Sequence, residues 1–160
     1  MKGVTIPFSR TGILLILLIG LCTIAACVKE PEPPKVDTPD SSFGLIYDKI
    51  LTPSCGVNGC HDGASIHPRL SGENTYRSMV TDHLHNHDAE QAGLHLVKPF
   101  DADSSFLYQK MIFDSTEFKF GSPMPQGNLT VTANQIRFLR QWIEAGAPEE
   151  GHVADRTLIE

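Results

Sequence analysis

The chain has little positive charge, no apolar run long enough to span a bilayer comfortably, and none of the residue spacings typical of hydrolases. Lysine and arginine total 13 against 19 acidic residues, so the formal net charge of the 160 residues is −6 at pH 7. Because a phosphate backbone attracts basic surfaces and the chain has no basic run, we expect no nucleic-acid binding. No Ser-His-Asp or paired-carboxylate spacing occurs, and no acid or base is marked beside an open metal position, so we do not expect an enzyme.

The first 26 residues have the order of an export signal. Lys2 and Arg10 are followed by the apolar run 12–22 and then by the small residues 25–26. This order is typical of bacterial secretory signals, and a run of this length is shorter than a transmembrane helix. We therefore expect residues 1–26 to be removed on export into an oxidising compartment.

Cys27 ends the sequence Ile24-Ala25-Ala26-Cys27, which resembles the lipobox of bacterial lipoproteins. The resemblance implies cleavage before Cys27, a diacylglyceride on its sulfur and acylation of its new amine, and several acyl chains give a stable membrane anchor. Val28, in place of aspartate, favours the outer membrane for such a lipoprotein. Residues 27–42 are then the acylated cysteine and a proline-rich tether. The alternative is an ordinary secretory signal with a chance cysteine.

The folded part, 43–148, is predicted to be mainly α and to begin with an amphipathic helix. The apolar residues at helical spacing are Phe43, Ile46, Tyr47, Ile50 and Leu51. Such a face is typical of a helix that packs against a core. Ser41 or Ser42 is available as the N-cap, and Pro53 is expected to end the helix.

Two further short helices are predicted on either side of a histidine-rich loop at 82–95. The first is indicated by the spacing of Tyr76, Met79 and Val80. The second is expected to be capped by Asp103 or Ser104. Its inward face is predicted to consist of Phe106, Leu107 and Met111.

The last helix has the clearest signals. Thr132 and Gln135 form a capping box ahead of an apolar face, and Gly146 with Pro148 ends the helix. Residues 149–160 are expected to be a tail. About four short helices joined by long loops predict a small, mainly α domain in which something other than side chains fills part of the core.

The two cysteines of the folded part lie in Cys55-Gly-Val-Asn-Gly-Cys60-His61, which resembles the haem attachment motif of c-type cytochromes. The usual motif is Cys-x-x-Cys-His, and the gap here is four residues instead of two. The resemblance implies that Cys55 and Cys60 bind one covalent haem c through thioether bonds and that His61 is the proximal ligand of its iron. Glycine and asparagine in the gap tolerate positive φ, so the extra residues can bulge outward.

Two other interpretations of this motif stay open. A disulfide between Cys55 and Cys60 is plausible in an exported protein. A structural zinc site is the second alternative, although such a site takes about four cysteine or histidine ligands. Neither explains why His61 directly follows the second cysteine.

The rest of the folded part is similar to the planctomycete-type cytochrome c domain and its relatives among exported lipoproteins. The matching segments are Ile50–Cys55, Pro68–Ser71 with Tyr76, Val97–Pro99, Ser104–Lys110, Met124-Pro125 and Ile136 through Trp142 to Ala147. The resemblance covers about 43–148 and implies a small cytochrome c-like domain of about four helices around one haem. The four-residue gap departs from the commoner spacing of this group.

Met124 is predicted to be the distal haem ligand. It lies between Pro123 and Pro125, in a loop bounded by Gly121 and Gly127. A flexible apolar side chain gains little in such a stiffened loop unless it points at something. The resembled group carries its distal methionine in this Met-Pro context, and sulfur ligation implies a comparatively high potential.

Other residues compete with this assignment or support it. Met79 and Met111 lie on apolar helix faces and are expected to fill the core. The alternating histidines His83, His85 and His87 are the main rivals as a distal ligand or a copper or zinc site, although a solvated loop explains them too. Residues that could lie near the haem, or equally at the surface, are Pro68, Arg69 and Lys98.

The sequence therefore predicts a membrane-anchored monohaem c-type cytochrome that carries single electrons between redox partner proteins. Trp142 and Phe43 are expected to help wall the haem. The alternative is a haem-free lipoprotein module that binds a glycan or a protein partner and contains a Cys55–Cys60 disulfide. Cys60-His61 and Met124-Pro125 have no explanation under that alternative.

Overall fold

A computed structural model of the chain describes residues 40–63, 66–113 and 119–159, and within these ranges it contains helices and loops but no strand. The expectation of a small, mainly α fold with long loops is thus confirmed for this part of the chain. The predicted signal 1–26, the lipidated Cys27 and the tether as far as residue 39 lie outside the described residues. Across the described ranges, no helix has the length and apolar character needed to cross a membrane.

The first helix begins as expected. Helix α1, Ser42–Ile46, is capped by Ser41, whose Oγ accepts a hydrogen bond from the Gly44 N–H at 3.0 Å. It continues without a break into a π-helical segment, Tyr47–Leu51, and then into the short helix α2, Thr52–Ser54. Of the predicted apolar face, Phe43, Ile46, Ile50 and Leu51 are buried and Tyr47 is half-buried.

The prediction that Pro53 ends this helix is wrong, because Pro53 lies inside α2 near its first position. The helical run that starts at Ser42 ends one residue later, at Ser54, so Pro53 stands in its last turn and removes one helical N–H donor. The backbone N–H of Thr52 bonds to the Tyr47 carbonyl, five residues back. The carbonyl of Lys49, four residues before the proline, accepts a hydrogen bond from Gln135 Nε2 at 2.7 Å instead.

The middle of the chain forms three short helices. These are α3 at Thr75–Val80, α4 at His87–Gln91 and α5 at Phe106–Ile112. Helix α4 was expected to be loop, and it is capped by Asn86, whose side chain accepts from the Ala89 N–H at 3.0 Å. The N-cap of α5 is Ser105 rather than Asp103 or Ser104.

The last helix, α6 at Ala133–Glu144, confirms the predicted capping box. Thr132 Oγ1 accepts from the Gln135 N–H at 3.2 Å, and Gln135 Oε1 accepts from the Thr132 N–H at 2.8 Å. The chain leaves the helix at Gly146, whose φ is 101°. Glycine suits this position because the left-handed backbone conformation is strained for residues with a side chain.

The helical core is built between α1, the π-helical segment and α6. Trp142 and Phe138 are fully buried, and the Phe43 ring lies 6.0 Å from the Trp142 ring and 5.1 Å from the Tyr76 ring. The Trp142 indole N–H donates to the Pro148 carbonyl at 2.8 Å. Its polar atom is therefore satisfied inside an apolar cluster, as buried tryptophan requires.

The residues after 148, expected as a tail, pack onto the start of the domain. The Ser42 N–H donates to the Gly151 carbonyl at 2.9 Å, and Ser42 Oγ accepts from the N–H groups of Val153 and Ala154. A 3₁₀ turn follows at Arg156–Leu158, and Ile159 is buried. This segment carries no strong apolar period, which is why the sequence did not indicate its contacts.

Candidate functional site

A cavity of about 420 Å³ lies on the side of the domain built mainly from loops. Its walls come from the end of α2, the segments 59–61, 66–70 and 84–86, helix α5 and the loop 124–129. The apolar residues of the wall are Ile66, Leu70, Leu84, Leu96, Phe106, Leu107, Met111 and Leu129. Volumes of this size and a mostly apolar lining with a few polar groups are typical of sites for small molecules and cofactors.

Cys55 and Cys60 both line this cavity. Cys55 is buried at the end of α2, where its N–H donates to the Leu51 carbonyl at 2.8 Å, whereas Cys60 is half-buried. Both thiols are free in this structure. Burial, and secondarily the charge of Cys60, raises the pKa of Cys55 to about 11, so its thiol keeps its proton at neutral pH.

The four-residue gap between the cysteines forms a tight turn. The Cys60 N–H donates to the Val57 carbonyl at 2.9 Å, and Gly59, the third residue of this turn, has a φ of 79° as in a type II turn. Gly56 packs closely, since a Cβ there would lie 3.0 Å from the Leu70 carbonyl oxygen. The longer gap therefore bulges at Asn58 and Gly59, which are exposed, while both cysteines stay at the cavity.

His61 is held at the cavity by hydrogen bonds of its backbone and its ring. Its N–H donates to the Cys55 carbonyl at 3.0 Å, and its own carbonyl accepts from the Leu70 N–H at 3.0 Å. Its ring Nδ1 lies 2.8 Å from the Pro68 carbonyl oxygen. Because a carbonyl only accepts, Nδ1 must carry the proton, which leaves the lone pair of Nε2 available for a metal. Pro68, predicted from its place after the motif, thus fixes the tautomer of the expected ligand.

Met124 also lines the cavity, and so does Met111. The Met124 N–H donates to the Lys110 carbonyl at 2.7 Å, which ties its loop to α5. Met79 is buried in the core away from the cavity, as expected. Met111, expected to fill the core, packs against the core and also lines the cavity, so two methionines line this space.

Among the histidines of the histidine-rich segment, His85 is the one that lines the cavity. Its ring stacks on that of His67 with centroids 4.1 Å apart and an angle of 23° between the planes. His83 is 97% exposed and points its Nδ1 at Glu90, while His87 contacts Gln91. Within the described ranges no three His, Cys, Asp or Glu side chains form a group that would hold a metal ion. The sequence carried no spacing signal for His67, because its contact joins two distant loops.

Several residues expected near the site lie elsewhere. Trp142 and Phe43 belong to the helical core and are not among the described lining residues, so they do not wall the cavity. Arg69 and Lys98 do not line it either, and Lys98 donates to Asp101 Oδ2 at 2.9 Å. Lys110, which the sequence analysis did not single out, is the cationic side chain that α5 contributes to the wall.

Comparison of this chain with protein-family models, with curated proteins and with solved structures gives no match. The site therefore has to be interpreted from its own geometry. The cavity combines two thiols, a histidine with an available Nε2, two thioethers and an apolar wall. Thiols that can bond a macrocycle, and imidazole and thioether ligands for its iron, are the donor set of a c-type haem, so the residues fit this group.

Proposed function

We propose that this protein is a monohaem c-type cytochrome of the kind its sequence resembles, and that it carries single electrons between redox partner proteins. The observation that carries the proposal is that Cys55, Cys60, His61 and Met124 line one cavity. These residues span seventy positions of the chain, and the sequence alone ties only the first three together. A haem-free module would have no need to bring Met124 to the same space.

Each residue has a defined task in this proposal. The thiols of Cys55 and Cys60 each add across a vinyl group of the haem, with the sulfur going to one carbon and the hydrogen to the other. His61 Nε2 is the proximal ligand, and the Pro68 carbonyl holds its ring in the required tautomer. Met124 supplies sulfur as the distal ligand. A bound haem supplies reversible one-electron chemistry, in which one electron arrives from a reduced partner protein and leaves to an oxidised one.

The apolar wall sets the conditions for this chemistry. Leu96, Phe106 and Leu107 are almost completely buried and give the cavity an apolar wall. An apolar surrounding and a sulfur ligand both favour ferrous over ferric iron, because each disfavours the form with the higher charge. His61 and Met124 would both be available to hold the iron of a bound haem, which would leave no site for a substrate, so we propose an electron carrier and not an enzyme.

The proposal is tested by expressing the full chain together with a cytochrome c maturation system. The purified protein is expected to be red and to keep its colour in the polypeptide after denaturation and extraction with acidified solvent. The matched control is the Cys55→Ser/Cys60→Ser variant. Any haem that this variant binds is expected to be extracted by the solvent. A colourless wild-type protein, or colour that the solvent removes, would overturn the proposal.

We also propose that Cys27 anchors the protein to the outer membrane of a bacterial cell. The support is the segment 24–27 and the export signal before it. Cys27→Ser is expected to abolish labelling by a radioactive fatty acid and to release the domain from the membrane fraction or leave its precursor uncleaved. Equal labelling of the wild type and the variant would show that the anchor lies elsewhere.

A further inference from the structure

Lys110 lies near the end of α5, where its ammonium group meets the loop that carries Met124. Its Nζ donates to the Ser122 carbonyl at 2.7 Å and to the Phe120 carbonyl at 3.1 Å. The two carbonyls belong to alternate residues of one loop, so a single side chain fixes two successive points of the backbone. The length and three donors of an ammonium group suit this task.

The backbone of the same residue holds the loop at a third point. The Met124 N–H donates to the Lys110 carbonyl at 2.7 Å. Pro123 and Pro125 have no N–H, so the Met124 N–H is the only backbone donor of the segment 123–125. Lys110 therefore bonds to residues 120, 122 and 124, and the last of these is the proposed distal ligand.

The surroundings of the ammonium group strengthen its part-buried bond to the Phe120 carbonyl. Lys110 is half-buried, and the loss of water around it lowers the pKa of its ammonium. The Phe106 ring faces the charge with its centroid 5.1 Å from Nζ. Asn86 Nδ2 donates to the same Phe120 carbonyl at 3.2 Å, so the carbonyl that Lys110 holds is fixed from a second side. Hydrogen bonds from a charged donor are stronger when water is kept away from them.

We propose that Lys110 is a positioning residue for the distal ligand, because its ammonium group fixes the loop 120–124 and so holds the Met124 thioether at the cavity. This inference rests on the proposed function. Lys110 itself does not touch the iron, and it acts only through the loop.

The experiment uses the haem-loaded full chain and three variants. Lys110→Met removes the ammonium donors and keeps the side-chain length and the backbone carbonyl. Lys110→Arg keeps a charged donor at the same place. Lys119→Met makes the same change of charge at an exposed position at the start of the same loop. The readouts are the weak sulfur-to-iron band of the ferric protein, the affinity for added imidazole and the midpoint potential.

For Lys110→Met we expect a weaker sulfur-to-iron band, a lower midpoint potential and imidazole binding about tenfold tighter, because Met124 is displaced more easily once a charge-assisted hydrogen bond is lost. Lys119→Met should match the wild type, and Lys110→Arg should restore part of the band. If Lys110→Met does not fold, Lys110→Gln is measured in its place with the same expectation.

The outcomes separate this inference from the proposed function. A wild type with covalent haem and a Met124-dependent band, together with a Lys110→Met variant indistinguishable from it, would overturn the role of Lys110 and leave the cytochrome assignment intact. A wild type with covalent haem whose band survives Met124→Ala would overturn the role of Lys110 and the distal assignment together. A wild type without covalent haem would overturn the proposed function and this inference with it.

Discussion

The two sides of the domain are built by different means. On one side, α1, the π-helical segment and α6 pack side chain against side chain around Trp142, which has no exposed surface. On the other side, helix α5 and loops from several parts of the chain surround a cavity of about 420 Å³. Side chains around an unfilled cavity lack contacts that a close-packed interior provides. Under the proposed function, the helical side is held by its own side-chain contacts, and we expect the loop side to depend on the haem in the cavity.

The comparison is tested most strongly by removing a large side chain from each region. Trp142→Ala is expected to cost about 3–5 kcal/mol of the free energy of unfolding, because it leaves a void in a packed core. The cost should be similar in haem-loaded and haem-free protein, since Trp142 does not face the cavity. Denaturant unfolding of both forms measures it.

Leu96→Ala is the matched change on the loop side. Leu96 is 4% exposed and lines the cavity, so its contacts depend on what the cavity holds. We expect the cost of this change to be larger in the haem-loaded protein than in the haem-free one. Equal costs in the two forms would contradict the distinction between a self-supporting side and a side that depends on its occupant.

The next effect concerns the ligand on the loop side. Met124→Ala is expected to abolish the sulfur-to-iron band, lower the midpoint potential and admit imidazole, while the covalent haem remains because the thioethers do not depend on Met124. Met111→Ala is the control, since Met111 lines the same cavity. Spectra and potentials of the two ferric variants measure the difference. Loss of the band in Met111→Ala alone would assign the distal ligand to Met111. A Met124→Ala protein with unchanged potential and a spectrum typical of two histidine ligands would instead indicate His85.

The smallest effect is a dependence on pH at the turn that leads into α5. The hydrogen bond from Lys98, followed by those from Ser104, lowers the pKa of Asp101 from 3.8 to about 2. A carboxyl group with a lowered folded-state pKa stabilises the fold above its unfolded pKa, and this stabilisation is lost as the pH falls from about 4 to about 2. The melting temperatures of the wild type and Asp101→Asn should therefore differ at pH 6 and converge towards pH 2. A difference that does not change with pH would show that the charge of Asp101 contributes nothing.

How much could be predicted from the sequence also differs between the two sides. The face of α1 and the capping box of α6 were predicted because each depends on residues three or four positions apart. Pro53 was misinterpreted because proline has no N–H for the Lys49 carbonyl. That carbonyl accepts a hydrogen bond from Gln135, far along the chain, instead. Patterns over a few neighbouring residues do not indicate a hydrogen bond between distant parts of the chain.

On the cavity side, the sequence indicated several of the lining residues but not how the loops that carry them meet. The spacing of Cys55, Cys60 and His61 and the prolines around Met124 pointed to these residues individually. The stack of His67 on His85 and the bonds from Lys110 to the methionine loop depend on how separate loops meet. Trp142 and Phe43 were wrongly expected to line the cavity, because a buried position in a helix does not indicate which side of the core it faces.

The central claim, that the cavity holds a haem bonded to both cysteines, is tested most directly by the mass of the peptide that contains Cys55 and Cys60. Wild-type protein from cells with a maturation system is digested, and this peptide is isolated under denaturing conditions without a reductant. We predict a peptide heavier than its sequence mass by one haem and absorbing in the visible range. A peptide that lacks only the two thiol hydrogens would reveal a Cys55–Cys60 disulfide and would contradict the account.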